Sequence, residues 1–458
     1  MKKDKWILGV APTRRDTRDF DLKYAWENKR KILEIVKETA SEYERIEVVD
    51  LEWLNEEGLL IHPWESQRVA EVFTEKGVDA LFLPHCNFGA EEAVALLGKK
   101  VGKPLLLWGP RDQMPPPDGP RQTDTQCGLF ASGLMLRRYG VPFTYLENCA
   151  MDSPLLKEGI RSFIQTSNVV KAFRELRILQ ISVRPRTFLS VKVNENELLE
   201  RFGIGVVTVD FTEMQAEIEN VLERKGTEMQ MRVERLREHF CTQQTDEEDI
   251  IKLAGVEQGI RNLAERYHCS AVASECWRTF SVPFGIMPCA GFGELIEEGL
   301  PVACECDIHG AVSSVLLSAA AMDQKPHFLA DVTMRHPQND NGELLWHCGP
   351  FPASLARAGC RPVLKQCLGQ FELEEGELTL CRFGGIRGRY SLFAEKCHTT
   401  QGPPTNGSYV WIETPDWPAW ERKLVTGPYI HHISGIYGDY TKILHEACRY
   451  LGIESDRV

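Results

Sequence analysis

Residues 80–108 read ALFLPHCNFGAEEAVALLGKKVGKPLLLW. An apolar run, Ala80–Pro84, is followed by a helical pattern over Ala90–Lys100 and by a second apolar run, Leu105–Trp108. Short buried run, helix, short buried run is the pattern of a parallel βαβ unit. Working outward, the runs Trp6–Val10 and Ile46–Leu51 come before it, Phe143–Leu146 comes after it, and Lys29–Tyr43 supplies another helical pattern. Together these predict a doubly wound parallel sheet. The Pro-rich segment Met114–Pro120 predicts a loop just beyond the fourth strand, where open α/β sheets place a binding crevice. In the following Arg121-Gln-Thr-Asp-Thr-Gln-Cys-Gly, the Thr and Asp can cap a helix that runs to Tyr139.

A second Rossmann-like α/β unit is expected from about residue 170. Its strands are Arg177–Val183, Gly205–Asp210, Ser270–Ser274 and Val302–Glu305, with one long solvated helix over Thr212–Phe240. After Gln324 the texture changes to prolines, glycines, aromatics and β-branched residues, and helical periodicity does not return until Thr441–Leu451. That texture predicts a β-rich, barrel-like third domain closed by one helix, with Trp411, Trp417 and Trp420 in its core. The predicted division is therefore 1–170, 171–325 and 326–458, the last two carrying the candidate site.

The 458 residues are 43% apolar and 26% charged, and no stretch reaches the roughly 20 apolar residues a membrane span needs. The formal charge of −13 argues against nucleic acid or an anionic membrane as partner, but allows a small anionic substrate. The 15 cysteines are scattered with no Cys-x-x-Cys pair, as expected for reduced thiols in a cytoplasmic protein. The start, Met-Lys-Lys-Asp-Lys-Trp, leads directly into an apolar run and lacks the pattern of a signal peptide.

Chemistry concentrates where the second unit gives way to the third. Val302-Ala-Cys-Glu-Cys-Asp-Ile-His-Gly-Ala is an apolar strand ending in two acids and a histidine. Glu305 and Asp307 share a face if the strand continues; if it has turned, Asp307 is the N-cap of the next helix and Glu305 is the functional acid. The second reading is preferred. Asp331 lies in the apolar run Phe328-Leu-Ala-Asp-Val, and His347 in Leu344-Leu-Trp-His-Cys. An aspartate there is costly to bury unpaired, though an edge or turn position would explain it equally well. His431 and His432 form a pair on a strand, so only one is expected to face a single site. Two carboxylates with one or two imidazoles suit Mn²⁺, Mg²⁺, Co²⁺ or Fe²⁺; zinc would more often recruit the cysteines. Glu275, at a strand end, and Arg382 and Arg387, around the glycine-rich Phe383-Gly-Gly-Ile-Arg-Gly-Arg, are further candidates. Packing for Glu275 and a β-turn for the arginines are the plainer readings.

These segments resemble the L-fucose isomerase and L-arabinose isomerase superfamily. Cys304-Glu305-Cys306-Asp307 is similar to its Glu-x-Asp segment, Phe328–Val332 to its second acidic strand, and His347 and the His431-His432 pair to its histidines. The resemblance implies an aldose–ketose isomerase that works through a cis-enediol. In it Glu305 and Asp331 would be both catalytic and metal-binding, with His432 and His347 as further ligands and Mn²⁺ the leading ion. It implies a sugar substrate, for which Glu275, His431 and Arg387 are the contact candidates among the residues, and a homo-oligomer, trimer or hexamer. A sugar epimerase and a non-catalytic sugar-binding protein are the alternatives.

Overall fold

A computed structural model describes residues 5–16, 22–115, 117, 119 and 121–458. Part of the predicted loop (Pro116, Asp118 and Pro120) and the first four residues lie outside it. By internal contacts the chain divides into two compact units, Met1–Val170 and Lys171–Val458.

The first unit holds a five-stranded parallel sheet of β1 (Trp6–Val10), β2 (Ile46–Val49), β3 (Ala80–Pro84), β4 (Leu105–Trp108) and β5 (Thr144–Tyr145), in the order β2-β1-β3-β4-β5. Every residue of β3 and β4 is buried, as central strands covered by helices on both faces require. The helix Thr125–Arg138 is not capped by its neighbours Thr123 or Asp124. Asp112 reaches across the loop instead and accepts from the amides of Thr125 (2.8 Å) and Gln126 (3.1 Å).

The second unit contains both remaining sheets. Four parallel strands, β6 (Arg177–Ile181), β7 (Gly205–Val209), β9 (Ala271–Ser274) and β10 (Val302–Cys304), lie in the order β10-β9-β6-β7, while β8 (Cys241–Gln244) joins the other sheet. The single long helix predicted over Thr212–Phe240 is two helices, Phe211–Arg224 and Thr227–His239. Lys225 at φ 48° and Gly226 break it.

The last sheet has β11 (His327–Arg335), β12 (Gly342–His347), β13 (Val363–Lys365), β14 (Leu368–Glu372), β15 (Glu377–Ile386), β16 (Arg389–Thr400), β17 (Ser408–Glu413), β18 (His432–Tyr437) and β19 (Glu454–Asp456). Six of them close into a barrel, β16-β15-β18-β11-β12-β17, because β17 pairs back onto β16. Closure leaves the ring no open edge. The fold is thus α/β with two parallel sheets and a C-terminal barrel, as the texture predicted. One helix was missed. Trp417–Thr426 is started by the Asp416 side chain, which accepts from the Ala419 amide; its buried Trp417 and Trp420 join the main core, while Trp411 is buried in a smaller cluster with Leu344 and Tyr409.

The helix Ile308–Ala320 positions the site. It is buried along its whole length and packs on β15 and β18, where Ser314 bonds Ser434 (3.0 Å) and Ser313 accepts from the Phe383 amide (2.8 Å). Its first turn is thereby held against the start of β18.

Candidate functional site

The strand β10 stops at Cys304, earlier than predicted, because Glu305 (φ 63°) and Cys306 (φ 56°) both take the left-handed conformation. Such a backbone costs on the order of 1–3 kcal/mol per non-glycine residue and persists where the surroundings impose it. The turn delivers the chain straight to Asp307, the helix N-cap, whose Oδ1 accepts from the Gly310 amide at 2.9 Å. The cap reading of Asp307 therefore stands in the structure, but the carboxylate does more. It pairs with the buried Arg382, whose Nη2 lies 3.0 Å from Oδ1, and its Oδ2 is 2.8 Å from Nδ1 of His432. Desolvation opposes the charge of Asp307, but the Arg382 guanidinium and the His432 imidazole outweigh it and hold the carboxyl well below the usual range.

Asp331 and His432 arrive together because β11 and β18 are antiparallel with these two residues directly opposed. Opposed residues project from the same face of a sheet. Nε2 of His432 lies 3.0 Å from Glu305 Oε2 and 3.4 Å from Asp331 Oδ1. Glu305 Oε1 also accepts from Nε1 of Trp277 at 2.8 Å. The two carboxylates named from sequence thus meet the same imidazole.

One expectation fails. His431 and His432 do not point to opposite sides. β18 begins at His432, so strand alternation does not govern His431, and the two rings lie 4.7 Å apart with both histidines beside Asp331. Asp331, His431 and His432 form a group whose ligand atoms all fall within 4.8 Å of one another. His347, at the end of β12, is outside that group. Its Nδ1 is 2.9 Å from the Cys348 amide and 3.2 Å from Cys348 Sγ, while its Nε2 is buried without a partner. Arg387 is not brought to the cluster. It occupies the exposed two-residue turn between β15 and β16 at φ 52°, followed by Gly388 at φ 75°, the positive-φ pair that a tight hairpin favours.

Sequence reading also missed Phe188. Its ring covers the histidines, with centroids 5.6 Å from His431, 5.5 Å from His432 and 6.1 Å from Trp277. Nothing in its local sequence marks it.

Asp331, His431 and His432 offer donors of the kind that could hold a cation. Asp331 Oδ1, His432 Nε2 and His347 Nε2 are buried and make no hydrogen bond, although His432 Nε2 is at ion-pair distance from two carboxylates. Buried polar atoms are normally satisfied, so the two that face each other, Asp331 Oδ1 and His432 Nε2, call for a shared partner. With Asp307 neutralised by Arg382, Glu305 and Asp331 leave two negative charges, which a dication balances. The Asp307–His432 bond also fixes which ring nitrogen faces the site, as carboxylates behind metal-ligating histidines do. Burial alone would pull His432 down. The bond to Asp307 and the nearby Glu305 and Asp331 outweigh it and lift the imidazole to about 9. In the same field Glu305, penalised by burial, is pulled below its ordinary value by His432.

Fold and cluster together define an α/β protein with a carboxylate–imidazole centre where a parallel strand end meets a barrel. Residues 9–174 match the fucose/sulfoquinovose isomerase N-terminal domain family. A sulfoquinovose isomerase from Alkalicoccus urumqiensis is 27% identical over 82% of this chain and 85% of its own. One from Priestia aryabhattai is 26% identical with the same coverage, and one from a Clostridium species (strain MSTE9) is 22% identical over 61% of each. Over most of its length the chain is thus similar to sulfoquinovose isomerases, and its first third matches the N-terminal domain of that family.

Proposed function

We propose that this protein is a metal-dependent aldose–ketose isomerase acting on a sulfonated hexose of the sulfoquinovose type. The observation that carries the reading is the convergence of Glu305 and Asp331 on Nε2 of His432, beside buried atoms that lack partners. The relatives' substrate supplies the sugar class.

Glu305, Asp331 and His432 would hold the ion, with His431 or His347 completing the set, and oxygen and imidazole donors favour Mn²⁺. Once bound, the ion supplies Lewis-acid stabilisation of the negative charge that develops on the sugar oxygens. The rest falls to the chain. Isomerisation moves a proton between C1 and C2, so one carboxylate accepts it from carbon and a carboxyl returns it to the neighbouring carbon. Glu305 and Asp331 are placed for that exchange. Asp307, fixed by Arg382, holds the His432 ring in orientation. Phe188 and Trp277 offer an aromatic wall that excludes water and can lie on a sugar face.

The test is to follow sulfoquinovose by NMR in D₂O with chelator-treated protein, with and without Mn²⁺. Ketose formation with label confined to C1 and C2, dependent on Mn²⁺, is expected. Equal rates without metal would remove the ion from the mechanism, and label appearing only through inversion at one carbon, without ketose, would make the protein an epimerase.

A further inference from the structure

A cleft of the second unit, with a volume of about 780 Å³, opens at the ends of β6 and β9. Open α/β sheets bind ligands at such a point, where successive connections leave to opposite sides; here β7 and β9 flank β6. Its charge runs against that of the chain. Arg184, Arg186, Lys192 and Arg278 line it, opposed by only Glu195 and Glu275, in a protein whose net charge is −13. Glu275 is already committed: it accepts from the amides of Trp277, Arg278 and Thr279 and from the Thr279 hydroxyl. Arg184 is partly committed, because its Nη1 donates to the carbonyls of Pro185 (3.1 Å) and Arg186 (3.2 Å). Arg186, Lys192 and Arg278 are exposed and their side chains make no hydrogen bond or ion pair among the described residues. A concave surface with three uncommitted cations concentrates anions.

The same three segments build this cleft and the carboxylate centre. The turn after β10 sends Glu305 to His432 and Cys306 to the cleft. The loop after β9 gives Trp277 to Glu305 and Arg278 to the cleft. The segment after β6 packs Phe188 on the histidines and turns Arg184 and Arg186 to the cleft. A sugar whose reacting carbons lie at Glu305 therefore has a cationic neighbour for its far end.

We infer that Arg278, Arg186 and Lys192 form an oxyanion subsite that selects hexoses carrying a negative group at the end remote from the aldehyde. The inference rests on the isomerase reading and assigns residues to its specificity. Sulfonate and phosphate share the recognised chemistry, three oxygens that accept charge-assisted hydrogen bonds.

The experiment compares KM and kcat of the Mn²⁺-loaded protein and its Arg278→Ala, Arg186→Ala and Lys192→Ala variants on sulfoquinovose, glucose 6-phosphate and glucose. Sulfoquinovose binding is also titrated calorimetrically, which reads the subsite even where nothing turns over. All three side chains are exposed, so the variants fold. In the native protein the anionic sugar is expected to have the lower KM. Arg278→Ala should raise that KM by about 10-fold or more, the worth of a charged hydrogen bond, with a much smaller effect on kcat, narrowing the anionic-to-neutral ratio. A ratio near one in the native protein, or one that survives all three substitutions, overturns the subsite even if isomerisation proceeds. Preference for glucose 6-phosphate over sulfoquinovose supports the subsite and overturns the sulfonated substrate. Tight, Arg278-dependent binding of sulfoquinovose without any ketose supports the subsite and overturns the isomerase.

Discussion

Two glutamates end neighbouring parallel strands and meet opposite fates. β9 and β10 pair with Ser274 beside Cys304, so Glu275 and Glu305 are the next residues along each strand. Glu275 is buried and spends its carboxylate on its own loop, with the Trp277 and Thr279 amides at 2.8 Å and the Thr279 hydroxyl at 2.5 Å. Glu305 is held in a left-handed turn and accepts one indole N–H, while its other oxygen faces the His432 imidazole. A carboxylate saturated by backbone donors builds a loop. One held against a buried imidazole that a second carboxylate also faces is available for chemistry. Position at a strand end selects candidates, and the identity of the donors separates them.

Replacing the two residues should therefore break different things. Glu305→Gln keeps the shape and removes the proposed proton acceptor and a charge proposed to bind the metal. A rate loss of about 10³-fold is expected, the middle of the range for a general base, with a melting temperature close to that of the native protein. Steady-state kinetics and scanning calorimetry on one preparation check both halves; near-native turnover would remove Glu305 from the chemistry. Glu275→Ala should do the reverse. It leaves three loop amides and a buried hydroxyl without their acceptor, a loss of about 2–3 kcal/mol. Thermal or urea unfolding reads it directly. An unchanged melting temperature would mean that water replaces the carboxylate and that the contrast with Glu305 is one of geometry alone.

The legible part of this centre was carried by residues that local physics makes conspicuous. Asp331 stands out because an aspartate is expensive inside an apolar strand, and Glu305 because it closes a buried one. The barrel was legible from the loss of helical periodicity, although Asp416 and Pro418 at the start of Trp417–Thr426 mark a helix that the β-rich texture obscured. What the chain did not announce was long-range. Arg382 lies 75 residues from Asp307 and Asp307 lies 125 from His432, and neither pairing has a local signature. The convergence of His431 with His432 depended on where β18 starts, a boundary that residue pattern fixes only loosely. Phe188 matters through its packing on the histidines alone.

The last contrast between the two glutamates is their response to pH. The donors to Glu275 are backbone amides and a hydroxyl, which do not titrate near neutrality; Glu305 faces an imidazole raised to about 9. In the unfolded chain a histidine titrates near 6.5. Without metal, the stabilisation from protonated His432 is therefore complete below about pH 6.5 and fades as pH climbs through about 9. A divalent ion needs the deprotonated nitrogen, so proton and metal compete for Nε2. Mn²⁺ affinity should rise by about tenfold per pH unit over that interval, with one proton released per ion bound. Calorimetric titration with Mn²⁺ in buffers of different ionisation enthalpy measures both. The metal-free protein should lose thermal stability across the same interval and the Mn²⁺-loaded protein should not, because the dication then offsets the charges of Glu305 and Asp331 that the proton had offset. Mn²⁺ binding without proton release would place the ion away from His432, and the two carboxylates would then meet at the imidazole for structure alone.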